Sequence, residues 1–383
     1  MLTQGGVVGL VTPRYAPAIG GVERIVEGLA RGLVARGVPV EVITTDPTGD
    51  LPAVEERDGV LVRRFPTVRN DSVYFLSPSL GWWLLRNASR FAVLHAHSYH
   101  APLALQAAFA SRLSGVPFLL TTCYHGTGHS PLRRVLHLPY RLLGRWMLRQ
   151  ARRVICISGA EQALLTAHFG SGVASVVVPS AVNVEEIVAT QARDFAHERT
   201  VILGVGRLET YKQVDRLVSA VPELPPDHDV VIIGDGPARS SIQQLVTELG
   251  VESRVRLLGH VPQSELLAWY RRADVFASLS RRESYGLAVV EAGVAGAAIV
   301  ASDIPAHREV VRYLPAGRAL LVSPDCGADQ LAQALQHAVR RGRAESVDGW
   351  PIPSWATNIE ATLGCYQAAL DSRHVGLARA GAA

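Results

Sequence analysis

The chain has 383 residues, of which 48% are hydrophobic and 19% charged, with a formal net charge of +4. That apolar content fills two α/β cores and excludes a disordered or fibrous chain, and so mild a positive excess suits an anionic small molecule or surface without demanding nucleic acid. The four cysteines, Cys123, Cys156, Cys326 and Cys365, have no C-x-x-C spacing, which excludes a disulfide framework or a cysteine-rich zinc site.

Short apolar, β-branched runs lie at 7–11, 40–44, 60–65, 93–97, 118–122, 154–157 and 176–178, separated by longer helix-like segments. Strands buried on both faces read as continuous apolar runs, and helical crossovers between them imply a parallel sheet. Pro179-Ser180-Ala181-Val182-Asn183 reads as a linker. A second series follows at 201–205, 230–233, 255–258, 275–277, 298–301 and 320–322. The expected organisation is α/β, with two Rossmann-like, doubly wound domains at 1–180 and 181–352. A tail at 353–383 follows, in which Trp355, Ile359, Leu363, Tyr366 and Leu370 recur at helical spacing and need an apolar surface to pack on. There is no basic leader ahead of an apolar run, and no uncharged apolar run nears the roughly 20 residues of a spanning helix. The expectation is a cytoplasmic protein that meets a membrane, if at all, on its inner face.

Ligands of open parallel sheets bind at the carboxyl ends of the strands, so the loops there carry the candidate chemistry. After the first strand, Gly20-Gly21 opens a helix, where backbone N–H groups and the helix dipole favour an anion. The spacing is not G-x-G-x-x-G, and such a turn also occurs without a ligand. His125-Gly126 follows the 118–122 run, and His95 and His97 end the 93–97 run with His100 after it; neither cluster has carboxylates or cysteines at ligand spacing, so no metal is expected. In the second half Gly206-Arg207-Leu208, with Lys212 five residues beyond the arginine, places two cations at a strand end, able to neutralise a departing diphosphate or simply to sit solvated at a helix start. Gly234-Asp235-Gly236-Pro237 is a tight turn that lets backbone approach a ligand. The segment from Glu283 through Tyr285, Gly286 and Leu287 to Glu291 puts one carboxylate in a loop and one on the following helix. A loop carboxylate accepts hydrogen bonds from sugar hydroxyls, a helix carboxylate from a ribose, and the Gly286 and Leu287 amides suit a phosphate.

Taken in order, Gly20-Gly21-Val22-Glu23, His125-Gly126, Gly206-Arg207-Leu208 with Lys212, Gly234-Asp235-Gly236-Pro237, the Glu283-to-Glu291 segment and Val300-Ala301-Ser302-Asp303 resemble the retaining GT-B glycosyltransferases of the family 4-like, group 1 type. The resemblance implies two Rossmann-like domains facing a central cleft, with the tail helix crossing back to the first. It implies that Gly20 and Gly21 face the diphosphate, that His125 contacts the sugar near the reacting centre, and that Arg207 and Lys212 stabilise the leaving group. Glu283 would bind the sugar, the Gly286 and Leu287 amides the phosphates, Glu291 the ribose, and His260-Val261 the base, with Gly206, Gly236 and Tyr285 also in the donor site. The linker lacks the usual glycine, Tyr285 stands for phenylalanine, and Gly296-Ala297-Ala298 lacks the usual proline.

The function so implied is retaining, metal-independent transfer of a sugar from a UDP- or GDP-sugar to a hydroxyl acceptor, lipid-linked or soluble, with no cofactor beyond the nucleotide sugar. A non-catalytic nucleotide-sugar scaffold and another GT-B reaction, such as sugar-nucleotide epimerisation, are the alternatives. Residues 131–153 carry seven arginines and no acid; Arg141, Arg145, Arg149 and Arg152 at helical spacing, amid Leu142, Leu143, Trp146, Met147 and Leu148, suggest peripheral contact with an anionic membrane.

Overall fold

The computed structural model describes residues 6–18, 20–68, 76–126, 131–194 and 199–380, the side chains of 131–139 and 372–380 excepted. The 127–130 part of the histidine loop, and the Arg133 and Arg134 side chains, therefore lie outside the described residues. The chain divides into two compact units, Met1–Ala181 together with Trp355–Ala383, and Val182–Ser354.

The first unit holds an eight-stranded sheet: β1 (Val7–Val11), β2 (Val40–Asp46), β3 (Val54–Arg57), β4 (Val60–Pro66), β5 (Phe91–His97), β6 (Phe118–Thr121), β7 (Arg153–Cys156) and β8 (Ser175–Val177). Their order is β3-β4-β2-β1-β5-β6-β7-β8, parallel except for β3, which pairs antiparallel with β4 at the edge. The order reverses between β1 and β5, so the loops after these two strands flank the crevice where such sheets take ligands. The helices α1 (Gly21–Val34) and α13 (Trp355–Ala380) pack on one face. Their approach is close because α1 carries glycines at the contact: a Cβ on Gly28 would stand 2.1 Å from the Trp355 ring, and one on Gly32 1.9 Å from Ile359 Cδ1. Tyr366 of α13 is fully buried and its hydroxyl meets His95 Nδ1 at 2.8 Å, while His95 Nε2 meets Thr121 Oγ1 at 2.8 Å.

The opposite face carries α2 (Pro78–Asn87), α3 (Pro102–Ser114), α4 (Pro131–Gln150) and α5 (Gly159–Phe169). Helix α4 runs unbroken through Pro139, and its inner side differs from the expected stripe. Met147 and Leu148 are fully buried, and Arg141 turns inward to donate to the His168 carbonyl at 3.1 Å, over the Phe169 ring. Leu142, Leu143, Arg145 and Arg149 remain outside.

The second unit is a six-stranded, wholly parallel sheet of β9 (Thr200–Val205), β10 (His228–Ile233), β11 (Val255–Gly259), β12 (Val275–Ser278), β13 (Ala298–Ser302) and β14 (Ala319–Val322), in the order β11-β10-β9-β12-β13-β14. The reversal here falls between β9 and β12. Two loops far apart in sequence, after Val205 and after Ser278, thereby become neighbours at one carboxyl edge.

Candidate active site

Strand β9 delivers Gly206, Arg207 and a short 3-10 turn, Thr210–Lys212, closed by Gln213 in the left-handed region at φ 53°. Strand β12 delivers Ser280 and Glu283, and Arg281 N–H donates to the Tyr211 carbonyl at 2.8 Å, lacing the two loops together. Lys212 Nζ then donates to Glu283 Oε1 at 2.5 Å, and Ser280 Oγ donates to the same oxygen at 2.7 Å. Both side chains of the pair are mostly buried, Lys212 19% and Glu283 16% exposed. Burial alone would push the Glu283 carboxyl up, but Lys212, His307 and the two donors together hold it below its ordinary value. Burial opposes the Lys212 charge too, and Glu283 outweighs it, so the ammonium is held above its ordinary range. Gly206, Lys212, Gln213, Ser278 and Ser280 line a small cavity beside the pair.

The loop from Glu283 ends at Gly286, in the left-handed region at φ 105°, which caps α10 (Leu287–Val294). Tyr285 is 3% exposed, and Glu291 lies in the second turn of α10, 7% exposed. Beneath the loop sits a residue that sequence reasoning passed over, His307 of α11 (Pro305–Val310), wholly buried. Its Nδ1 is 2.9 Å from the Ser302 carbonyl, which can only accept, so Nδ1 carries the proton; Nε2 is left to accept from Ser278 Oγ at 3.3 Å. Burial, partly offset by Glu283 and the Ser302 carbonyl, lowers its pKa. A Cβ on Gly286 would stand 3.3 Å from the His307 ring, so the imidazole supports the turn from below.

Two further expected residues of this unit, Arg207 and His260, reach the surface. Arg207 is 52% exposed, with Nε 3.3 Å from Glu209 Oε1. His260 and Val261 follow β11, two strands from β9, with His260 exposed. The glycines of the 234–237 turn also serve packing: a Cβ on Gly234 would meet the Gly206 carbonyl at 2.1 Å, and one on Gly236 the Leu208 carbonyl at 2.4 Å. The close approach they permit is to the chain's own backbone, and the turn buttresses the Gly206–Leu208 segment through Leu208 N–H to Asp235 O at 2.9 Å.

In the first unit Gly20 is extended and caps α1, but a Cβ on it would stand 2.3 Å from Glu23 Oε2, and Arg14 Nε lies 3.4 Å from Glu23 Oε1. The Glu23 carboxylate thus lies beside Gly20, while the space next to Gly21 is open. His125 follows β6 with its ring 4.8 Å from that of His100, in a loop that Glu161 anchors by accepting from Thr122 Oγ1 at 2.6 Å and from the Tyr124 amide. No group of three or more His, Cys, Asp or Glu able to hold a metal ion occurs among the described residues.

Residues 188–346 match the family Glycosyl transferases group 1, and residues 19–186 match Glycosyltransferase Family 4. A phosphatidyl-myo-inositol mannosyltransferase of Propionibacterium freudenreichii is 30% identical over 324 residues, covering 79% of each chain. The chain belongs to the group 1 glycosyltransferases. A GDP-mannose:cellobiosyl-diphosphopolyprenol alpha-mannosyltransferase of Xanthomonas oryzae is 29% identical over 86% of this glycosyltransferase and 87% of its own length. The sucrose-phosphate synthase of Thermosynechococcus elongatus superposes with a TM-score of 0.74 over 99% of this chain and 100% of its own at 19% identity, which establishes the GT-B fold.

Two buried histidines of this glycosyltransferase give its stability a pH dependence. Burial drives His97 down to about 3 from an ordinary 6.5, and burial together with the adjoining His97 drives His95 well below the same value. The folded state therefore binds fewer protons than the unfolded chain between about 3 and 6.5, so stability is full above 6.5 and is lost as pH falls through that window. At pH 5 the His97 contribution alone amounts to about 2 kcal/mol lost relative to pH 7.5. Urea unfolding at the two pH values measures it, and His97→Asn is expected to reduce the difference by about that amount, leaving the His95 share.

Proposed function

We propose that this glycosyltransferase takes its sugar from a UDP- or GDP-sugar and delivers it, with retention of configuration and without a metal or other cofactor, to a hydroxyl on a lipid-linked or soluble acceptor. The observation that carries this reading is the Lys212–Glu283 pair at the switch point of the second sheet, with the Leu287 helix start beside it and Arg207 on the same strand end. A departing nucleoside diphosphate gathers negative charge on its β-phosphate. Lys212 and Arg207, with the Gly286 and Leu287 amides, are the groups that would meet that charge, and preorganised donors of this kind act without reorganising at the moment of reaction. Glu283 is held ionised, so its part is to accept hydrogen bonds from sugar hydroxyls rather than to give up a proton. The acceptor proton then passes to the leaving phosphate oxygen on the same face of the sugar. Glu291, buried on α10, would accept from the ribose, and His125 of the first unit would contact the sugar. The name of the Xanthomonas relative, with a GDP-sugar donor and a diphosphopolyprenol-linked acceptor, supports both the donor class and a lipid-linked acceptor.

Proton NMR of the product formed from an α-linked UDP- or GDP-sugar tests the stereochemistry. An α-linked product is expected; a β-linked product would remove the same-face mechanism.

A further inference from the structure

From residue 72 to residue 160 the chain has ten arginines and not one aspartate or glutamate. Helices α2, α3 and α4 fall within this stretch and lie side by side on one face of the first sheet, α3 between the other two. Their inner sides fill the core, and their outer sides share a pattern. On α2, Trp82 and Leu85 are exposed and the Arg86 guanidinium lies 4.3 Å over the Trp82 ring. On α3, Phe109 and Leu113 are exposed, the latter 66%, with Arg112 between them. On α4, Leu142 is 75% and Leu143 50% exposed, with Arg145 and Arg149 one and two turns on. These six are half of the twelve large apolar side chains that are exposed among the described residues. Arg86, Arg112, Arg145 and Arg149 have no ion pair among the described residues.

Single exposed apolar residues mean little, but a contiguous set on three adjacent helices marks an interaction surface. We propose that this face docks on an anionic lipid bilayer. Apolar tips interspersed with long cationic side chains match the boundary between acyl chains and anionic headgroups, where a tryptophan and snorkelling arginines are favoured. A second copy of the chain is a poor occupant, because it would bring two acid-free, arginine-rich faces together. The proposal concerns the first unit alone and is independent of the donor chemistry.

Co-sedimentation of the full chain with vesicles of phosphatidylcholine and phosphatidylglycerol in equal parts, against phosphatidylcholine alone, tests it. Binding to the anionic vesicles is expected, weakening as salt rises. The Arg112→Glu, Arg145→Glu, Arg149→Glu variant should bind them at least about tenfold more weakly. Phe109→Ser with Leu142→Ser should weaken binding several-fold and persistently at higher salt. All these positions are exposed, so melting temperatures should stay at the wild-type value. Wild-type chain left in the supernatant with anionic vesicles at low salt, or both variants pelleting like wild type, would overturn the proposal. So would a dimer in gel filtration that Phe109→Ser with Leu142→Ser converts to monomer, since the face would then be a contact between copies.

Discussion

Replacing Lys212 by alanine is expected to reduce turnover by about 10²–10³-fold, equivalent to roughly 2–4 kcal/mol of transition-state stabilisation, the loss typical of removing one preorganised donor. The same change strands Glu283 in a mostly buried site without its cation, so the carboxyl should rise from its depressed value and the fold should lose stability as well. The two consequences separate in a double variant. Lys212→Met with Glu283→Gln replaces the ion pair by neutral groups of similar volume, and should recover most of the melting temperature while staying inactive. Recovery of turnover along with stability would mean that the pair is a structural strut. Arg207→Ala should lower turnover without a stability change, because the side chain is half exposed and its ion pair with Glu209 is a surface one.

The second large effect divides the two glutamates. Glu291→Ala is expected to weaken binding of a bare nucleoside diphosphate by about 2 kcal/mol, roughly thirtyfold in Kd, through lost hydrogen bonds to the ribose. Glu283→Ala should leave the bare diphosphate bound and weaken the sugar nucleotide, because its partners are the sugar hydroxyls. Calorimetry with UDP, GDP and their sugar conjugates measures both. Wild-type affinities in both variants would take the pair of carboxylates out of the site.

The parallel strands were legible because each is a continuous apolar run, the mark of burial on both faces. Strand β3 was not: Val54-Glu55-Glu56-Arg57 is largely exposed and polar, and it is a strand only because β4 offers it an open edge. At the site, Lys212 and Glu283 were each identifiable from the loop that carries them, but their contact spans 71 positions and follows from β9 lying beside β12, a matter of sheet order. His307 was missed because a histidine on a short helix carries no local pattern; only the fold puts it under Gly286, and its place five residues past Ser302, itself in a recognised segment, was the available signal. The glycines of the 234–237 turn also make room for Gly206 and Leu208, which their spacing did not show. Gly20 was read as an open anion site, and the carboxylate that fills the space beside it sits only three residues along the chain. A glycine signals close approach without saying of what, so these contacts were not legible in the sequence.

The central claim is that protein cations, with Lys212 foremost, draw off the diphosphate without a metal. The most direct measurement is release of UDP or GDP from UDP- and GDP-sugars, with water or an added hydroxyl compound as acceptor, before and after excess EDTA. Release from one donor class at a rate that EDTA leaves unchanged, and that Lys212→Ala all but abolishes, is the expected result. Release that EDTA stops and magnesium or manganese restores would contradict the claim, as would an absence of release from every donor tested.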